Sequence, residues 1–194
     1  MGQALPRLSL DEFIAWENDQ PGKHEFVRGE VFAMVGARRV HKLVMGNAFA
    51  SLKRALKGMP CQAFLESAKL PTAAGDIFYP DVFVTCDAQD LRTEQILRAP
   101  TVIVEVLSPS TQTYDRGLKF TLYRGMPSLR GYALVDPDTR EVRIFRRGDD
   151  GLFTLHDLTG VQVLRFASIA CTVTADDLFE GIEGSDQNDD MPAA

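Results

Sequence analysis

The spacing of apolar and polar positions changes along the chain, and each change predicts an element. Residues 101–107, TVIVEVL, are apolar or β-branched at six of seven positions on both faces, the pattern of a central strand. Upstream, Ser9 and Glu12 form a capping-box signature ahead of Phe13 and Trp16, so a helix starts there and stops at Pro21-Gly22. Residues 25–32 read as two short strands about Arg28-Gly29. Residues 40–56 place Leu43, Val44, Phe49, Leu52 and Leu56 at helical intervals before Gly58-Met59-Pro60. Strands are expected over 62–70 and 78–85, a short helix over 90–97, a loop at 108–111 and a helix over 115–124. Strands 132–135 and 141–146 flank the turn signal Asp136-Pro137-Asp138. Further short strands fall between 153 and 173, and a last helical turn over 175–179. No internal repeat is visible. This order predicts an α/β (α+β) domain built on a mixed sheet over residues 1–180. The polar, acidic residues 181–194 are expected to be disordered.

Composition changes this picture little. A chain of 194 residues suits one domain with a core that needs no staple. No stretch approaches the roughly 18 apolar residues of a membrane span, and the first residues lack a secretory pattern. The cytoplasm is the expected location, with no membrane partner. Cys61, Cys86 and Cys171 are isolated, which argues against a zinc site or disulfide framework and for small buried hydrophobes.

Charge is more informative. The net charge is −6, but seven acids and no Lys or Arg lie beyond Phe166, so residues 1–165 carry +1. Between Val31 and Lys57 there are six bases and no acid. Arg38, Arg39 and Lys42 are the bases placed to attract phosphates. A solvated helix face explains the same run equally well.

The expensive residue is Glu105. An ionised carboxylate in an apolar strand costs several kcal/mol unless it is paired, hydrogen-bonded or metal-bound. Alternation sets Ile103, Glu105 and Leu107 on one face and Val102, Val104 and Val106 on the other. Asp81 is a second acid among apolar neighbours, and adjacent strands would bring the two together. Two hard carboxylates with open positions suit Mg²⁺ or Mn²⁺. The competing explanations are a turn Pro-Asp and a strand acid satisfied by a backbone amide or an arginine. Asp115, Lys119 and Tyr123 recur every four residues on one helix face. Lys119 could then point back at the carboxylates, or form only a surface ion pair with Asp115.

The segments YPDVFVTCD, PTVIVEVLSPSTQTYDRGLKFTLYRGM and GYALVDPDTREVRIFRR resemble the Uma2 family, also called DUF820. LSLDEFIAWE, HEFVRGEVFAM and His41 extend the resemblance over residues 8–179. It implies a restriction-endonuclease-like fold of the PD-(D/E)XK nucleases: a mixed sheet flanked by helices, with an N-terminal helix and hairpin. It implies a Mg²⁺- or Mn²⁺-dependent endonuclease acting on nucleic acid, with DNA as the expected polymer. A homodimer would cut two strands with two sites. Asp81 and Glu105 match the metal-binding acids. The superfamily lysine position is Leu107 here, and Lys119 on the following helix matches the family's displaced lysine. Glu25, Glu30, His41 and Asp115 are supporting candidates. The chain departs from the family pattern at His24, where tyrosine is usual, and at Gly131 and Ala133, where an acid and a tryptophan are usual. The alternative function is a non-catalytic nucleic-acid or protein-interaction module that keeps the fold.

Overall fold

The capping box forms: Ser9 accepts from Glu12 N, and Glu12 Oε2 accepts from Ser9 N at 2.8 Å. It opens α1 (Leu10–Asn18), whose Phe13 packs with Phe26 and Ile77. Strands β1 (His24–Val27) and β2 (Glu30–Ala33) form the expected hairpin. Arg28 and Gly29 take φ of 53° and 86° at its turn, matching the twist that a two-residue hairpin needs. Helix α2 (Arg39–Ala55) buries Val44, Ala48 and Leu52 on one stripe. The computed structural model describes residues 8–182 apart from 35, 67, 110, 159 and 161. The acidic tail expected from 181 lies outside the described residues from 183 onward.

Two expected strands are each divided. Residues 62–70 become β3 (Gln62–Leu65) and β4 (Leu70–Pro71), and residues 78–85 become β5 (Ile77–Phe78) and β6 (Val82–Thr85). β4 and β5 join β1 and β2 in a four-stranded sheet, while β3 and β6 join the main sheet. Pro80 offers no N–H to a ladder, so the chain changes sheets at Tyr79-Pro80-Asp81. The helix expected over 90–97 shrinks to a 3₁₀ turn, Asp90–Arg92. Asp90 accepts from Arg98 N at 2.8 Å, Ala99 N at 2.9 Å and Thr85 Oγ1 at 3.0 Å, holding the segment in a side-chain-braced loop instead.

Strand β7 (Pro100–Val106) is the central strand the pattern requires. After it come α3 (Gln112–Tyr114), a π-helical turn Asp115–Lys119 and α4 (Phe120–Tyr123) in direct succession. Then follow β8 (Gly131–Asp136), β9 (Glu141–Arg147), β10 (Phe153–Asp157), β11 (Val163–Phe166), β12 (Cys171–Thr174) and α5 (Ala175–Leu178). The six-stranded sheet runs β10-β9-β8-β7-β6-β3. It is mixed: β7 pairs antiparallel with β6 and parallel with β8. Val102, Val104 and Val106 join the core under α2, β12 and α5, while Ile103 and Leu107 join the core with Tyr123, Leu129 and Tyr132. Ala133 and Gly131, the two departures from the family pattern on β8, are both buried, and a Cβ on Gly131 would lie 3.6 Å from Val102.

The cysteine expectation is corrected. Cys61 and Cys86 form a disulfide, and only Cys171 is free. The register explains it. Gln62 pairs with Thr85 across β3 and β6, so residues 61 and 86 are the next cross-strand neighbours, with Cα atoms 4.1 Å apart. A separation of 25 residues concealed a contact that only sheet pairing creates.

A buried ion pair ties α1 to the strand layer. Lys69 Nζ lies 2.8 Å from Glu17 Oε2 and donates to Asn18 Oδ1 at 3.0 Å. Tyr79 Oη donates to Glu17 Oε1 at 2.7 Å. Burial pushes the Glu17 carboxyl up, but Lys69 and Tyr79 outweigh it and hold it below the usual range. It therefore stabilises the fold above an unfolded value of ~4.3, a contribution lost as pH falls through the lower folded value.

Two outcomes follow in denaturant melts. Lys69→Met should cost about 3–5 kcal/mol, because it strands a buried carboxylate, whereas pairing it with Glu17→Leu should restore most of that loss. Reducing Cys61–Cys86 should cost about 3 kcal/mol from the freed loop entropy, an effect that Cys86→Ser reproduces.

Candidate active site

Register brings the two strand acids together. Val82 pairs with Val104, so Asp81 stands opposite Glu105 at the end of β6 and β7. Asp81 N donates to Glu105 Oε2 at 3.3 Å. Asp81 Oδ2 accepts from Val106 N at 2.7 Å and lies 3.3 Å from His41 Nε2 in the first turns of α2. Both contacts fall on one oxygen, and Asp81 Oδ1 carries neither.

The π turn supplies the cation. Lys119 is 7% exposed and turns inward, 3.0 Å from Glu25 Oε1, 3.4 Å from Glu105 Oε1 and 3.5 Å from Asp115 Oδ1. Its Nζ also lies 5.6 Å from the ring centre of Tyr114, a residue five positions earlier, which a π turn can align. Leu107, the superfamily lysine position, is buried in the apolar core. Glu25 enters from β1, where alternation sends Glu25 and Val27 to the side opposite Phe26.

These groups line a cavity of about 400 Å³ with an apolar wall that includes Phe32, Met34 and Pro109. Of the candidates taken from the sequence, Asp81, Glu105, Lys119, Glu25, His41, Asp115 and Arg38 all line it. Glu30 does not: it pairs with Val27 at the turn end of the hairpin and is exposed. Arg38 reaches the rim but is bound to Asp138 at 2.6 Å. Arg39 and Lys42 are exposed. Lys42 lines an adjoining hollow of about 430 Å³ that shares Met34 and His41 with the first. Sequence reasoning missed Tyr114 and Phe32. Tyr114 had no visible signal, because the π turn breaks the four-residue spacing. Phe32 was readable only as one apolar strand residue.

Electrostatically the site is unbalanced. Of four buried carboxyls, Glu25, Glu105 and Asp115 lie against the one ammonium, and Asp81 pairs with His41 beside them. Burial, and then the neighbouring acids beyond what Lys119 offsets, hold Glu105 well above the usual carboxylate range. Burial likewise raises Glu25 and Asp115 against the pull of Lys119. Burial alone would lower Lys119, but Glu105, Glu25 and Asp115 outweigh it and raise it well above the ordinary lysine range. His41 behaves similarly: burial lowers it, and Asp81 more than restores it.

This donor set fits a hard divalent cation. Glu105 and Asp81 present carboxyl oxygens at a cavity wall, and crowded buried carboxyls are what a divalent ion would neutralise. Among the described residues, no three His, Cys, Asp or Glu side chains form a ready cation cage. Mg²⁺ needs none, since it keeps waters and takes one or two carboxylates.

Comparison with known proteins identifies the family and the fold. The model of the Uma2 family, described as "putative restriction endonuclease", matches residues 10–172. The chain belongs to the Uma2 family. Within Synechocystis sp. (strain ATCC 27184 / PCC 6803 / Kazusa), the uncharacterized protein slr1290 is 33% identical over 179 residues, covering 92% of this chain and 94% of that protein. A second protein there, the uncharacterized sll1609, is 28% identical over 156 residues, covering 79% of this chain and 88% of its own. A solved structure, "a putative nuclease belonging to DUF820" from Anabaena variabilis ATCC 29413, superposes with a TM-score of 0.71 at 21% identity. It covers 89% of this Uma2 chain and 97% of its own. The mixed sheet flanked by helices is therefore the fold of that solved structure. Among the described residues, no helix is long and apolar enough to cross a membrane.

A raised carboxyl binds protons in the folded state that the unfolded chain has released. Stability then falls as pH rises from about 4 through the folded value. Glu105→Gln removes that penalty. In the metal-free protein it should raise Tm at pH 7.5 by about 2–4 °C, the shift expected for roughly 1 kcal/mol. The gain should shrink toward pH 4.5 in thermal melts.

Proposed function

We propose that this Uma2 protein is a Mg²⁺- or Mn²⁺-dependent endonuclease that hydrolyses phosphodiester bonds, with DNA as the polymer. One observation carries the reading: four buried carboxyls, three of them against one buried ammonium, gather at the wall of an open cavity. Such a cluster is costly for stability and suited to holding a divalent cation next to a phosphate.

Asp81 and Glu105 would hold the cation. When bound, it supplies Lewis-acid stabilisation of phosphate charge and a more acidic water. Lys119, held by Glu25 and Asp115, positions the attacking water by hydrogen bonding. The backbone N–H of Val106 fixes Asp81 so that its free oxygen is presented in one orientation. Phe32 is 47% exposed at the cavity wall and offers a face for a base. Lys42, which lines the adjoining hollow, and the exposed Arg39 would guide the phosphate chain. A homodimer with two such sites would cut both strands of a duplex, and the cytoplasm is where this activity would operate.

Cleavage of plasmid and oligonucleotide substrates should require Mg²⁺ or Mn²⁺. Asp81→Asn, Glu105→Gln and Lys119→Met should each lower the rate at least about 100-fold while the circular dichroism spectrum is kept. Metal titrated calorimetrically should bind wild type and fail to bind Asp81→Asn. Cleavage that persists in chelator, or in Glu105→Gln, would refute the assignment. Nucleic-acid binding without cleavage in any metal would leave the non-catalytic module as the function.

A further inference from the structure

Three arginines meet at the end of the main sheet remote from Glu105. Arg130 precedes β8, and Arg146 and Arg147 end β9. Arg146 stands opposite Gly131, and Arg147 N donates to Arg130 O at 2.9 Å. Glu105 pairs with Leu134, four residues along from Arg130. At 3.3 Å per residue the two places are roughly 13 Å apart along the strand. Between the arginines, Ile144, Phe166 and Ser168 lies a cavity of about 520 Å³.

The guanidinium groups of Arg146 and Arg147 are fixed but not neutralised. Arg146 Nη2 donates to Arg165 O at 3.1 Å, and Arg147 Nη2 donates to Met126 O at 3.0 Å and to Arg124 O. Arg147 also lies over the Phe153 ring at 4.7 Å. Carbonyls and a ring orient a cation without supplying a counter-charge. Among the described residues, the ion pairs formed by arginines involve Arg38, Arg54, Arg116 and Arg143, and none involves these three. Asp149 lines the same cavity without pairing to them. The Nε–H groups of Arg146 and Arg147 are buried with no acceptor among the described residues. Burial, and then the charge of Arg130, hold Arg147 below the usual arginine range.

Like charges at close quarters with no carboxylate paired to them suit an oxyanion. We propose that this cavity binds a phosphoryl group, carried either by free phosphate or by a nucleotide chain. A tetrahedral oxyanion presents several acceptors to donors arriving from different strands, and guanidinium forks match its edges. The site is independent of the acidic cavity and needs no catalysis there.

The test is calorimetric titration of the full metal-free chain with inorganic phosphate, pyrophosphate, and an oligonucleotide with or without a 5′-phosphate. Phosphate or pyrophosphate should bind wild type, and affinity should fall at least tenfold in Arg146→Gln and in Arg130→Gln. Arg130 is exposed, so that variant keeps its fold even if Arg146→Gln does not. Oligonucleotide binding that is lost in Arg130→Gln without any response to the free anions also supports the site, with the polymer as its source. Absence of binding by every probe at millimolar concentration overturns the proposal, as does unchanged binding in Arg130→Gln.

Discussion

The burial of one ammonium against three carboxyls governs this protein. Lys119 cannot be buried alone, and neither can Glu105, Glu25 or Asp115. Each makes the others tolerable, and the elements that carry them are locked into one arrangement: the hairpin strand β1, the central strand β7 and the π turn. The balance is incomplete, since acids outnumber the cation. Burial, with the neighbouring acids adding to it, raises Glu105, Glu25 and Asp115 above their ordinary range. Natural folds tolerate such deficits at sites where the missing partner arrives with the ligand.

The main sheet is consequently polarised. Its acidic end gathers Asp81 and Glu105, where β6 begins and β7 ends. Its other end gathers Arg130, Arg146 and Arg147, where β8 begins and β9 ends. A net charge of −6 conceals this separation entirely. The basic run between Arg38 and Lys57, by contrast, is partly spent on structure. Arg38 is held by Asp138, and Arg54 by Asp177 at 3.0 Å.

Legibility in the sequence followed the range of the physics involved. Local signals were readable: the Ser9 capping box, the Arg28-Gly29 turn, and the alternation around Glu105 all depend on neighbours within a few residues. The facing of Asp81 and Glu105 was readable once their strands were placed side by side. Pairing between distant segments was not. The strands over 62–70 and 78–85 looked continuous because nothing local says that the halves of each belong to different sheets. Cys61 and Cys86 looked isolated for the same reason. The π turn was invisible, since four-residue spacing led to Lys119 and Tyr123 but not to Tyr114. Glu30 matched a family position, yet its place at the exposed turn follows from hairpin register alone.

The change of sheets at Tyr79-Pro80-Asp81 has a mechanical meaning. Only this short span carries the chain directly from β5 to β6, and Asp81 is its last residue. β1, which carries Glu25, is joined to β5 in register at Phe26 and Ile77. A tug on the hairpin layer is therefore transmitted to Asp81, and Asp81 is pinned on its far side by Val106. The residue works as a hinge pin between two plates. A cation held on its free oxygen, as proposed, would brace the same joint between the N-terminal layer and the main sheet.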